Sequence, residues 1–159
     1  ATEYPDLLKS KFNEQEWEGI MGISQEISVV RDRHLSARYG AKYMHDITEG
    51  GILGAVWEAA EAIGKGIALD VEAVPIRKET FKVLEEWPGV DPLALISSGS
   101  MLIVLACEDY PAMEEAFKKE DIAITKVGKI TEDGKVYRTD TGEIIREPGS
   151  DHLYRLVKF

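Results

Sequence analysis

Met44-His45-Asp46-Ile47-Thr48-Glu49-Gly50-Gly51 is the stretch on which the reading of this chain turns. It closes a short run with strand character, Ala41 to Ile47, and opens a helix. In that helix Ile52, Leu53, Val56, Trp57, Ala60 and Ile63 recur at helical spacing, with Glu58 and Glu61 on the other face. Gly64 supplies the C-cap, and Ile67 to Val71 is extended, so the motif sits inside a strand–helix–strand unit. Paired glycines between a strand and a helix allow positive φ and close backbone approach. The helix they open starts with unpaired N–H groups at its positive dipole end, which suits an anion. Thr48 is placed either to cap this helix or to offer its hydroxyl to a phosphate oxygen. Asp46 repels a bare phosphate, so beside a nucleotide it needs Mg²⁺ between, or it orients a proton or a water. The plainer reading makes Thr48 an N-cap, Gly50-Gly51 a tight turn and Asp46 a turn former. The motif is neither a Walker A loop nor GxGxxG.

Upstream, residues 1–40 read as largely helical. Asn13 with Glu16 resembles a capping box, Ser24 to Val30 carries Ile27, Val29 and Val30, and a helix from Arg31 to Tyr39 ends at Gly40. Downstream, Arg77 to Trp87 has helical period and stops at Pro88-Gly89. Ser97-Ser98-Gly99-Ser100 forms a loop into MLIVLAC, whose lack of alternation predicts a strand buried on both faces. Asp109 and Pro111 open a helix with Met113, Ala116 and Phe117, and Ile122 to Ile130 reads as a strand. A hairpin then pairs KVYRT with EIIRE around Asp140-Thr141-Gly142, and Asp151 to Val157 forms a last helical turn. These elements predict an α+β fold: a mixed β-sheet with helices packed mainly on one face.

The 159 residues suit one domain, and 44% hydrophobic with 30% charged residues is globular composition. No apolar run approaches the roughly 18 residues of a membrane span. Nineteen basic against 29 acidic residues, a net charge of −10, argue against nucleic acid as a partner, because polyanion binding relies on Lys and Arg. Any phosphate is then expected on backbone amides or a metal ion. ATEYPDLLKS shows no secretory leader pattern, and a lone Cys107 suits a reducing compartment, so a cytoplasmic location is expected.

Met44-x-Asp46-x-Thr48-x-Gly50-Gly51 resembles the signature that opens the C-terminal domain of the hydrogenase maturation carbamoyl dehydratases. AIR synthase, selenophosphate synthetase and thiamine-monophosphate kinase carry related versions. The last two differ more, with Thr-Gly-Phe-Gly and Asp-x-Ser-Asp-Gly respectively. The resemblance continues in order through Ile27 to Val30, Gly66 to Asp70, Val74-Pro75-Ile76, Asp91-Pro92-Leu93, Ser98-Gly99-Ser100 and Val127 to Thr131. It implies the C-terminal domain of an ATP-dependent AIR synthase-related enzyme, with residues 24–159 as that domain. Residues 1–23 are then a helical segment or linker from an N-terminal domain. It also implies ATP and Mg²⁺, held mostly by that other domain, and a homodimer. By the same resemblance the chain is expected to help close the nucleotide and substrate site while an amide-type or similar acceptor is phosphorylated, and alone it is expected to be inactive. Asp46 is then expected to take the catalytic role, and Thr48, Gly50, Gly51, Ser98 and Gly99 to contact the cofactor. The partner is a small-molecule substrate or a maturation partner protein. The alternative is a ligand-binding or dimerisation module that keeps the fold without catalysis.

The maturation enzymes end in a tail with a terminal Cys that accepts a carbamoyl group, whereas this sequence ends Leu156-Val157-Lys158-Phe159. Cysteine-dependent carbamoyl dehydration is therefore not expected. Cys107 ends an apolar run and reads as core. His45 beside Asp46 offers an acid or base, but strand alternation turns it to the opposite face, where structural burial or plain exposure is expected; His34 and His152 read as surface residues; Trp57, Phe81 and Phe117 read as core anchors.

Overall fold

The computed structural model describes residues 4–156, so of the expected last turn only Val157 lies outside it. The chain is α+β, and its strands form two small sheets. In the first, β1 (Tyr43–Asp46) pairs antiparallel with β3 (Met101–Val104), Asp46 opposite Met101. In the second, β2 (Gly66–Leu69) is the centre, antiparallel to β4 (Gly128–Thr131) and parallel to β5 (Val136–Arg138).

The helix after the motif, α4 (Gly51–Ile63), joins the two sheets by packing against β1, β2, β3 and β5. Its buried residues Ile52, Ala55, Val56, Ala59 and Ala60 follow the helical period, and they meet Ile47, Ile67, Leu69, Leu93, Leu102, Val136 and Ile145 in one core. Each large aliphatic buried there contributes about 1.5–3 kcal/mol. Ala59 and Ala60 leave the strands room to approach. The β2 strand is buried along its whole length.

Two further layers flank this core. Helix α6 (Tyr110–Lys119) buries Met113, Ala116 and Phe117 and packs on α3 (Val30–Arg38), where buried Ser36 donates to the Asp32 carbonyl at 2.7 Å. At the other end, α1 (Pro5–Lys9) and α2 (Glu14–Gly22) are docked rather than extended. The capping box forms in full: Asn13 Oδ1 accepts from Glu16 N–H at 2.9 Å, and Glu16 Oε2 accepts from Asn13 N–H at 3.1 Å. Leu8 and Phe12 are buried, the Tyr4 ring meets Trp87 edge-on at 5.5 Å, and Lys82 of α5 (Lys78–Leu84) reaches both Phe12 and Glu16.

Several sequence expectations are corrected here. MLIVLAC is a strand only over Met101–Val104, with Leu102 alone buried, because β3 has one neighbour instead of two. Cys107 lies beyond the strand end and is exposed, so it is not core. Of the expected strand Ile122 to Ile130, only Gly128 onward pairs. The hairpin survives as β5 and a return arm held by one bridge, Tyr137 to Ile144. Phe81 is 53% exposed on a helix of seven residues, whereas Phe117 is a true core anchor. Among the described residues no helix is long and apolar enough to cross a membrane.

Candidate functional site

Asp46 ends β1, and the β1–β3 ladder continues one step past it. Ile47 N–H donates to the Ser100 carbonyl at 2.9 Å, and Ser97 N–H donates to the Ile47 carbonyl at 3.2 Å. The motif and the serine loop, distant in sequence, are thereby fixed side by side. Across the loop the Ser97 and Ser100 hydroxyls are 3.3 Å apart. Gly99, at φ 95°, presses on the chain near Glu26: a Cβ there would stand 2.7 Å from the Glu26 carbonyl oxygen. Gly99 is thus wedged against the chain at Glu26 and Ile27.

Beyond Ile47 the backbone turns through Thr48 and Glu49, and Gly51 N–H donates to the Thr48 carbonyl at 3.0 Å. Gly50 (φ 80°, ψ 0°) is the N-cap of α4 and has no side chain to cap with, so Thr48 is not the N-cap. The amide of Gly50 is satisfied from a distance, donating at 2.7 Å to Oδ2 of buried Asp151. Gly51 lies against the backbone of Leu93 and Leu95. The two glycines are thus buried and used for packing. Asp46, Ser98 and Gly99 are exposed, and Thr48 is half-buried. The residues singled out from the sequence share one edge of the molecule but divide into a buried pair and a solvent-facing group.

His45 belongs to the scaffold, as its alternation with Asp46 implied. Its Nε2 lies 2.7 Å from Glu58 Oε2 on α4, its Nδ1 lies 2.6 Å from the Asp46 carbonyl oxygen, and its ring stacks on Tyr43. Burial, with the Glu58 carboxylate adding to it, pushes the Tyr43 hydroxyl above its ordinary range. Tyr154 donates to Glu49 Oε1 at 3.0 Å, and that bond raises the tyrosine in the same direction. His34 is exposed as expected. His152 is held: its Nδ1 accepts from Asp91 N–H at 2.8 Å, correcting its reading as a plain surface residue.

Sequence reasoning missed Asp151. The available signal was the Pro148-Gly149-Ser150-Asp151 turn before a helical segment, which marks Asp151 as a cap for Leu153 but not as a partner for Gly50. Two cavities lie elsewhere, one of about 390 Å³ bordered by Asn13, Glu16, Ile20, Arg77 and Lys78, the other of about 170 Å³ by Arg31, His34, Arg38 and Glu120. Neither is lined by the motif. Among the described residues no cluster of three or more His, Cys, Asp or Glu is set to hold a metal.

Residues 25–141 match the family model described as AIR synthase related protein, C-terminal domain. The chain is similar to phosphoribosylformylglycinamidine synthase subunit PurL of Methanopyrus kandleri, with 28% identity over 79% of this chain and 16% of that protein. It is also similar to carbamoyl dehydratase HypE of Cupriavidus necator, 26% identical over 60% of this chain and 28% of that protein. In structure, E. coli HypE superposes with a TM-score of 0.67 at 22% identity, covering 87% of this chain and 48% of that one, which establishes a shared fold. This chain therefore spans well under half the length of the curated relatives it matches. The matched model covers the glycine motif, α4 and the serine loop, while Asp151 and Tyr154 lie beyond it, and the chain belongs to the AIR synthase related protein, C-terminal domain family.

Proposed function

We propose that this chain is the C-terminal domain of an ATP-dependent AIR synthase-related enzyme of the hydrogenase-maturation type. In this reading it closes the nucleotide and substrate site while a phosphoryl group passes to the oxygen of an amide-type or similar acceptor. One observation carries the reading. In a member of this family, Asp46 and Thr48 on the motif and Ser98 and Gly99 on the serine loop are brought to one solvent-facing edge by the β1–β3 register. A half-site of this kind suits a nucleotide shared with a second domain, since the motif lines neither the cavity of about 390 Å³ nor that of about 170 Å³. Residues 24–159 form the domain in this reading, and the segment before Ser24 connects it to an N-terminal domain.

Mg²⁺ fits the donor set only in part. Mg²⁺ is commonly bound by one or two carboxylates plus substrate phosphates, and Asp46 is the single exposed carboxylate on the motif strand. Asp46 would contribute one oxygen or orient a water or proton on the acceptor, and Thr48 and Ser98 would donate hydroxyl hydrogen bonds to phosphate oxygens. Homodimerisation, a cytoplasmic location and a small-molecule or partner-protein acceptor complete the proposal. The second reading is a ligand-binding or dimerisation module that keeps the fold without catalysis, and what favours it over phosphoryl transfer is that Asp151 takes the Gly50 amide, removing one backbone donor from the anion site at the head of α4.

Asp46→Ala in the full-length protein separates the two. The catalytic reading expects turnover to fall about a hundredfold or more, the scale of a lost proton-transfer group. Folding stability should change by no more than about 0.5 kcal/mol, as for an exposed side chain. Full activity per folded molecule in that variant would remove Asp46 from the chemistry.

A further inference from the structure

The segment after β5 returns across the glycine motif and holds it at several points. Pro148 lies over Gly50 and Gly54, close enough that a Cβ on Gly50 would stand 3.0 Å from the proline Cβ. Asp151 is 3% exposed. Its Oδ2 accepts from Gly50 N–H at 2.7 Å and its Oδ1 from Leu153 N–H at 2.6 Å. Tyr154 donates to Glu49. His152 accepts from Asp91 N–H, and Arg155 donates to the Gly89 carbonyl at 2.9 Å, which ties the segment to the turn whose Leu93 and Leu95 backbone presses on Gly51.

Burying a carboxylate is costly unless donors meet both oxygens. Here two backbone amides do so at the positive end of α4, whose dipole favours the charge. The Gly50 amide lies ahead of the first helical hydrogen bond, and Leu53 at N3 has no side-chain acceptor to reach back to it, so leaving it buried and unpaired is also costly. Each group therefore requires the other. We propose that Asp151 is a positioning residue of the nucleotide edge: it seats Gly50 in its left-handed conformation, and through that turn fixes how Thr48 and Asp46 are presented. The catalytic half of this proposal rests on the ATP-dependent reading above. A second consequence follows from charge. Two anions do not share one amide, so nucleotide phosphates bind on the exposed side, at Thr48 and the serine loop, and not on Gly50 N–H.

Asp151→Ala and Asp151→Asn test this by two routes. The first is amide hydrogen exchange in the 159-residue chain. Asp151→Ala should speed exchange at Gly50 by roughly tenfold or more while core amides of Ala59 and Leu69 keep their protection, the pattern of local opening. Asp151→Asn keeps an acceptor oxygen and should return much of the protection at Gly50. The second route is ATP turnover by the full-length protein. Asp151→Ala should lower kcat/KM by roughly tenfold or more, with kcat falling as Asp46 is misplaced and KM for ATP rising as Thr48 is misplaced. Asp151→Asn should recover part of the loss. Unchanged exchange at Gly50, or equal loss at every amide, overturns the seating role. A freed Gly50 with unaltered kcat/KM overturns the positioning role. A wild-type protein that does not bind ATP overturns the ATP reading and the catalytic half with it, while the exchange pattern still decides whether Asp151 seats the turn.

Discussion

Replacing Gly51 with alanine tests whether the paired glycines exist for backbone packing. Gly51 sits at φ 60°, where an L-residue costs about 1–2 kcal/mol. Its added Cβ would also stand 2.4 Å from the Leu93 carbonyl oxygen, 2.7 Å from that of Leu95 and 2.8 Å from the Leu95 nitrogen. All three are backbone atoms, so relief needs movement of the turn itself, and forcing an extra group into a packed site costs about 1–3 kcal/mol. The sum is about 2–5 kcal/mol. Gly64, which ends the same helix, is the internal control. It has φ 64° but nothing within 4 Å of an added Cβ, so Gly64→Ala should cost only about 1–2 kcal/mol. Urea unfolding of both variants gives the difference directly, and thermal unfolding should show Gly51→Ala lowered by roughly 4–20 °C. Equal destabilisation by the two substitutions would refute the close-approach argument.

Two other predictions are independent of this one. Hydrogen bonds from Lys82 and then from the Asn13 amide hold the Glu16 carboxyl below the ordinary glutamate value of 4.5. A depressed folded pKa stabilises above the unfolded value and is lost as pH falls through the folded one, so α2 should loosen only on acidification below about that ordinary value. Residue-resolved NMR titration checks it; Glu16 titrating with the exposed glutamates would contradict it. Cys107 is exposed, so a thiol reagent should label the native chain stoichiometrically without denaturant, whereas labelling that waits for unfolding would contradict the structure.

What was legible in the sequence was local. The period of Ile52 to Ile63, bracketed by Gly50-Gly51 and Gly64, marked α4 and both its ends, and Asn13 with Glu16 marked the capping box. The strand character before Asp46 marked β1, while the β1–β3 pairing that sets the serine loop beside it shows only in the structure. What escaped depended on partners far along the chain. An apolar run such as MLIVLAC does not reveal how many neighbours its strand will have, and β3 has one. Phe81 has helical spacing, but its helix is too short to press that face into a core. The Gly50 amide and the Asp151 carboxylate lie 101 positions apart, and no periodicity links them. For that reason the helix start read as an open anion site, when the chain fills the Gly50 position with its own carboxylate.

Hydrogen–deuterium exchange of the full-length protein, with and without saturating Mg-ATP, tests the central claim most directly. The account predicts that nucleotide protects peptides covering residues 44–54 and 96–101 together, with the β2 and α6 peptides unaffected. Unchanged exchange in both motif and serine-loop peptides while ATP is demonstrably bound would place the nucleotide elsewhere and contradict the account.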